Sequence, residues 1–234
     1  MIKVKNISKS YKDAIVLNNV SLEINKGDFT AVMGPSGSGK STLLYSISSM
    51  DNPDEGEVIF EGIDVYKLSE SELSKFRLNK MGFVFQNSQM LKNLSIFDNI
   101  ILPGMVAKRE SIEVVRARAT ELMSKMGIED IKDRDIREVS GGQLQRAAIC
   151  RAMINSPEIL FMDEPTGALN SEAASQVIEI LKKLNQEGIS IMLVTHDAKM
   201  ASMAKKVIYI KDGKLAGEIK LSNEKEALAE IDLW

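Results

Sequence analysis

The hydrophobic positions change period along the chain. Ile2 to Ile7 and the alternating Val20, Leu22 and Ile24 are spaced as strands, and Asn25-Lys26-Gly27-Asp28 then turns the chain into the unbroken apolar run Phe29 to Met33. Alternation fits a sheet with one solvated face, whereas a continuous run fits a strand buried on both faces. Leu43, Leu44 and Ile47 follow at helical spacing. Asn52-Pro53-Asp54-Glu55-Gly56 is a turn leading to Val58-Ile59-Phe60. Ser69-x-x-Glu72 is a capping box for a polar helix to about Asn79, and Gly82 to Phe85 is a short strand that delivers Gln86. From Asn87 to about Ser156 the pattern turns helical: Ile112, Val115, Ala119, Leu122 and Met126 keep one face, and Gly127 is the C-cap. Strand and helix then alternate again, with Ile159 to Met162, a helix carrying Val177, Ile178, Leu181 and Leu184, and Ile191 to Val194, which implies parallel order. Asp212-Gly213 between Val207 to Ile210 and Leu215 to Ile219 predicts a two-residue hairpin, and residues 222–234 read as a short, charged, peripheral tail.

The strand at Phe29 and the helix at Leu43 flank Met33-Gly34-Pro35-Ser36-Gly37-Ser38-Gly39-Lys40-Ser41-Thr42, which fits the phosphate-loop pattern G-x-x-x-x-G-K-[ST] at every fixed position. The glycines let the backbone curl so that successive N–H groups and the helix N-terminus aim at phosphate oxygens. A triphosphate is the natural guest: Lys40 reaches its β- and γ-phosphates, Ser41 completes the coordination of Mg²⁺, and Thr42 backs the loop. In open parallel sheets the ligand lies at the carboxyl ends of the strands. Asp163 and Glu164 end the strand Ile159 to Met162, which aims Asp163 at the cleft of Lys40 and Ser41 as a Mg²⁺ ligand through water, with Glu164 as proton acceptor for the attacking water. His196, the chain's one histidine, ends the strand Ile191 to Val194 and is aimed at the same cleft. Ser140-Gly141-Gly142-Gln143 opens another helix with Ser140 as N-cap; from spacing alone a second anion site and a plain capped start both stand.

Composition narrows the partners. A formal charge of −3 argues against a general nucleic-acid binder, so Lys182-Lys183 and Lys205-Lys206 read as solvated faces. One cysteine, Cys150, excludes an internal disulfide and reads as a small helix-packing residue in Ala147 to Ala152. No run approaches 18 apolar residues, and Met1 to Ser10 lacks the apolar stretch of a signal peptide. The expected place is therefore the cytoplasm.

Gly34 to Thr42, Gln86, Ser140 to Gln143, Asp163-Glu164 and His196, in that order, resemble the nucleotide-binding subunit of ATP-binding cassette transporters over about residues 1–220. The resemblance implies an α/β fold: a P-loop NTPase core with a mainly parallel sheet (1–86 and 157–221), an N-terminal antiparallel β subdomain and an inserted α-helical subdomain (87–156). It implies ATP and Mg²⁺ as cofactors, Ser140 to Gln143 as the signature motif on the γ-phosphate held by a second copy in an ATP-sandwich dimer, and His196 on the γ-phosphate. By the same resemblance Gln86 senses Mg²⁺ and the attacking water, and Tyr11, equally a strand residue by composition, stacks on adenine. One position departs: Asn170 stands where the family has aspartate, in a loop that touches the opposite subunit. The stretch Met81 to Pro103 is similar to the subgroup serving macrolide export, lipoprotein release and antimicrobial-peptide resistance. That implies an integral-membrane permease as partner, with this chain peripheral on the inner face of the membrane. The alternative, a soluble cassette acting on ribosomes or DNA repair, has two cassettes or a long coiled-coil insertion, which 234 residues do not accommodate.

Overall fold

In a computed structural model of the protein, residues 1–12 and 14–221 are described; the tail expected at 222–234 lies outside them. The chain packs as two units, one of Met1–Ser74 with the described residues from Asn185 onward, the other of Lys75–Leu184. The first opens with β1 (Ile2–Tyr11), β2 (Ala14–Ile24), β3 (Phe29–Met33), α1 (Lys40–Ile47), β4 (Glu55–Phe60) and β5 (Ile63–Asp64). α2 (Glu70–Lys80) leads into the second, which holds β6 (Met81–Phe85), α3 (Ile96–Ala107), α4 (Ile112–Lys125), α5 (Gly141–Met153), β7 (Ile159–Asp163) and most of α6 (Ser171–Gln186). The chain returns to the first unit with β8 (Ser190–Val194), α7 (Ala198–Ala201), β9 (Lys206–Lys211) and β10 (Lys214–Lys220).

In the first unit the alternating segments form an antiparallel sheet in the order β2-β1-β4-β5. The continuous runs do the opposite: β3 lies parallel between β8 and β9, and both β3 and β8 are buried at every residue. A parallel strand covered on both faces must be apolar throughout, which is why these two lack the alternation of β1 and β2. Leu43, Leu44 and Ile47 of α1 are buried, each contributing roughly 1.5–3 kcal/mol through the apolar area it removes from water. The Asp212-Gly213 turn joins β9 to β10 with both residues at positive φ (49° and 72°), the requirement of a type I′ hairpin.

In the second unit β6 and β7 are a parallel pair with Phe85 level with Asp163. The helical stretch resolves into α3, α4 and α5 with two short 3₁₀ turns, at Glu129–Ile131 and Ile136–Glu138, between the last two. Val115, Ala119, Leu122 and Met126 are buried as the periodicity predicts, and Gly127 follows at φ 62°. Ile112 is not part of that face: as the first residue of α4 it is 36% exposed, because the helix has only begun to approach its neighbours there. α3 meets α4 at Gly104, where a Cβ would come within 2.6 Å of Val115 Cγ1.

The expectation for Lys206 is corrected. Rather than forming a solvated face, its side chain is buried, its ammonium donates to the Glu23 carbonyl, and Glu218 Oε1 lies 3.9 Å away. The lysine starts β9 with its stem against the sheet, so only its charged end needs polar partners, and β2 and β10 supply them.

Candidate functional site

The phosphate loop grows out of the buried strand β3. Gly34 has φ 148°, and a Cβ there would lie 2.0 Å from the Ile210 carbonyl oxygen; Gly39 has φ 98°, and a Cβ would lie 2.6 Å from Val16 O. Backbone from β9 and β2 thus presses on the loop from behind, and only glycine permits it. The β9–β10 turn adds a brace, Gly213 N donating to Ser38 O at 3.2 Å. Lys40 Nζ donates to Gly34 O at 2.9 Å and Pro35 O at 2.8 Å, which holds the ammonium over the loop.

Two observations show that this loop suits a phosphate. The N-terminus of α1 has no side-chain cap and no acidic residue in its first turn, so the positive end of the helix is not neutralised locally. Ser38 Oγ is buried with no hydrogen-bond partner among the described residues. By contrast α3 begins with a Ser95 cap and Asp98 in its first turn.

His196 follows β8. Because Val32 pairs with Val194 and Thr195 N donates to Val32 O at 3.2 Å, the end of β8 runs level with the start of the phosphate loop, and the His196 side chain is exposed there. Tyr11 ends β1, half-exposed, with its hydroxyl donating to Asp51.

In the second unit Phe85 pairs with Asp163 at the ends of β6 and β7, and Gln86 and Glu164 are the next residue along each chain segment. The Gln86 amide lies against the turn that follows: a Cβ on Gly167 would be 2.9 Å from Gln86 Nε2. Glu164 itself has φ 47°, a left-handed backbone that costs a non-glycine residue on the order of 1–2 kcal/mol. Such strain persists only where the surroundings impose it, and Gly167 N donating to Glu164 O at 3.1 Å helps to do so. The structure therefore brings Gln86, Asp163 and Glu164 together at the carboxyl ends of two adjacent parallel strands.

Ser140 caps α5 with a reciprocal box: Gln143 N donates to Ser140 Oγ at 3.3 Å and Ser140 N to Gln143 Oε1 at 2.9 Å. Gly142 packs against α6, where a Cβ would come within 2.8 Å of Ala173 Cβ, and Arg146 donates to Gln176. Asn170 does a local job, its Oδ1 accepting from Ala173 N at 2.9 Å at the start of α6.

Three positioning groups escape a reading of the sequence. Gln145 Nε2 donates to Phe85 O at 3.3 Å, Arg151 donates to the carbonyls of Ser88 and Gln89, and Asp51 receives Tyr11. The only local signal for the first was a buried polar residue within a helix otherwise lined by Ala147, Ala148, Ile149 and Cys150. Among the described residues no three His, Cys, Asp or Glu side chains gather as a metal cage.

A family model described as ABC transporter matches residues 17–167. The chain is 42% identical over 228 residues to the macrolide export ATP-binding/permease protein MacB of Campylobacter jejuni, covering 97% of this chain and 35% of that protein, so it spans about a third of that relative's length. It is 41% identical over 219 residues to the lipoprotein-releasing system ATP-binding protein LolD of Aquifex aeolicus, covering 94% of this chain and 97% of that one. The dimeric structure of a post-hydrolysis state of the ATP-binding cassette MJ0796 of Methanocaldococcus jannaschii, bound to ADP and Pi, superposes with a TM-score of 0.89 at 41% identity over 95% of this chain and all of that one. These relatives fall in the subgroup expected from Met81 to Pro103, and the chain belongs to the ABC transporter family as one of its ATP-binding, ATP-hydrolysing subunits.

Proposed function

We propose that the chain dimerises with a second copy around two ATP molecules, hydrolyses them and thereby drives a separate integral-membrane permease for export or antimicrobial-peptide resistance, working at the cytoplasmic face of the membrane. Gly34 to Thr42 hold the phosphates, with Lys40 as a point charge and Ser41 and Asp163, aided by Gln86, as the oxygen donors to Mg²⁺. When bound, the ion supplies Lewis-acid neutralisation of charge on the phosphate oxygens. Glu164 accepts a proton from the attacking water, Gln86 orients that water, and His196 contacts the γ-phosphate. Ser140 to Gln143 present a helix N-terminus to the nucleotide of the partner copy, and Tyr11 offers its ring to the adenine.

The register of β6 and β7 supports this reading most, since it brings the ends of the strands that lead into Gln86 and into Asp163-Glu164 to the same level. Relatives named for macrolide export and lipoprotein release support the coupling to a permease. The test is purification from detergent-solubilised membranes of the source cell. A stoichiometric integral-membrane protein, with ATP hydrolysis in the complex, is expected; recovery with ribosomes or nucleic acid instead would overturn the transport assignment.

A further inference from the structure

Tyr11 stands at the end of β1 with 46% of its surface exposed, and an aromatic in that situation is normally free to change rotamer. Here it is tied down from several sides. Its hydroxyl donates to Asp51 Oδ2. Lys9, two residues earlier on the same strand and itself buried, donates to Asp51 Oδ1 at 2.9 Å and to the Asn52 carbonyl at 2.5 Å, and its ammonium lies 5.2 Å from the centre of the Tyr11 ring. Asp54 closes the group, with Oδ1 3.9 Å from Lys9 Nζ and Oδ2 accepting from Ser10 N at 2.6 Å.

Asp51 is anchored in turn to the end of the phosphate-loop helix. Its N–H donates to Tyr45 O at 3.2 Å, and the single hydroxyl hydrogen of Tyr66 is shared between Ser46 O and Asp51 O, the latter 3.2 Å away. Burial by itself would raise the Asp51 carboxyl, but hydrogen bonds from Tyr11 and Lys9 hold it below the ordinary range, so it meets Tyr11 as a charged acceptor at neutral pH. A continuous tether thus runs from the ring of Tyr11 through Asp51 into α1, an eight-residue helix about 12 Å long whose other end begins at Lys40.

We propose that Asp51, seated by Lys9, is a positioning residue that fixes the Tyr11 ring at a set distance from the phosphate loop, so that adenine affinity depends on a carboxylate that never touches the nucleotide. This rests on the reading of Tyr11 as the adenine platform. The physical reason is preorganisation: the covalent reach from base to phosphates is fixed, so a ring held in place beforehand spares the ordering that binding would otherwise impose.

Calorimetric titration of the full chain with Mg-ATP and, separately, with Mg-bound inorganic triphosphate tests the proposal. Asp51→Ala should weaken ATP binding roughly 3- to 10-fold, the effect of ordering one side chain, while triphosphate affinity holds. Asp51→Asn, which keeps an acceptor, should recover ATP affinity to within about a factor of two. Tyr11→Phe, which keeps the ring and removes only the tethering hydroxyl, should reproduce the selective loss, and adding Asp51→Ala to it should cost nothing more. An equal loss of both ligands would mean that Asp51 merely supports the phosphate loop, and an Asp51→Ala protein with unchanged ATP affinity would also overturn the proposal. Tyr11→Ala separates the two layers: if it leaves ATP affinity intact, the adenine-platform reading fails first and the proposal with it.

Discussion

Arg151 holds Ser88: its Nη2 donates to the Ser88 carbonyl at 2.5 Å while Nη1 donates to Gln89 O at 2.8 Å, from a helix that begins at the signature residues. Gln145, earlier on the same helix, donates to Phe85 O. The two side chains grip the backbone on both sides of Gln86, so α5 and the loop carrying Gln86 are expected to move as one body. Arg151→Ala removes two charge-assisted hydrogen bonds and should cost about 2–3 kcal/mol in urea unfolding. It should also lower turnover by on the order of tenfold while ATP affinity changes by less than about twofold, because the affected group, Gln86, is the one proposed to position water and metal. Unchanged turnover would show that the grip is structural alone.

The proton-accepting role proposed for Glu164 predicts the behaviour of Glu164→Gln. That variant keeps the side-chain shape and loses the base, so ATP should stay bound while turnover falls by roughly 10² or more. A dimer should accumulate with Mg-ATP on size-exclusion chromatography. Hydrolysis at the wild-type rate would remove Glu164 from the mechanism.

Ser140→Arg addresses the signature motif. The bulky cation should abolish dimerisation and hydrolysis while the monomer binds ATP with its own phosphate loop. Because Ser140 also caps α5, the change should cost about 1 kcal/mol of stability, which a melting curve will register as a shift of roughly 2–4 °C. A monomer that no longer binds ATP would contradict the assignment of this motif to the partner's nucleotide.

Asn170→Asp should keep the α6 cap, since a carboxylate accepts from Ala173 N as an amide oxygen does. ATP affinity of the isolated subunit is expected within about a factor of three, under 1 kcal/mol. Turnover in the reconstituted complex should change by more, through a new charge at a loop that the proposed dimer turns toward the opposite copy. If affinity suffers more than turnover, Asn170 belongs to the nucleotide pocket.

Cys150 is buried, and burial pushes its thiol up to about 12. An unfolded cysteine loses its proton near about 8.5. The native state therefore favours the neutral thiol, and this contribution is whole below about pH 8.5 and is lost as the pH climbs from there toward 12, at up to about 1.4 kcal/mol per pH unit. Chemical denaturation between pH 8 and 11 should show that slope in the wild type and a shallower one in Cys150→Ala. A thiol reagent at pH 8 should leave the folded protein unlabelled.

Much of the fold was legible because its signals are local. β3, α1, β8 and the Asp212-Gly213 hairpin each announce themselves within a dozen residues, since strand burial, helical spacing and turn chemistry act over that range. The phosphate-loop residues were legible for the same reason: the loop's chemistry lies in one unbroken stretch, and its glycines are demanded by backbone that presses on them.

Other features were decided only by the tertiary structure. Tyr11 and Asp51 stand 40 residues apart, Gln145 and Phe85 60, and Lys206 and the Glu23 carbonyl 183, so no local pattern marks them as partners. A lysine that reads as solvated becomes buried when two other strands offer it acceptors, and Asp51, which no local pattern singles out, becomes a tether when β1 ends beside it. The strip of residue types by itself determined most of the elements and put the phosphate-loop pattern after β3 and Asp163 and Glu164 at the end of β7. Strand register and packing decided which side chains hold that chemistry in place, because a hydrogen bond between distant segments exists only once both have been brought to the same level of the fold.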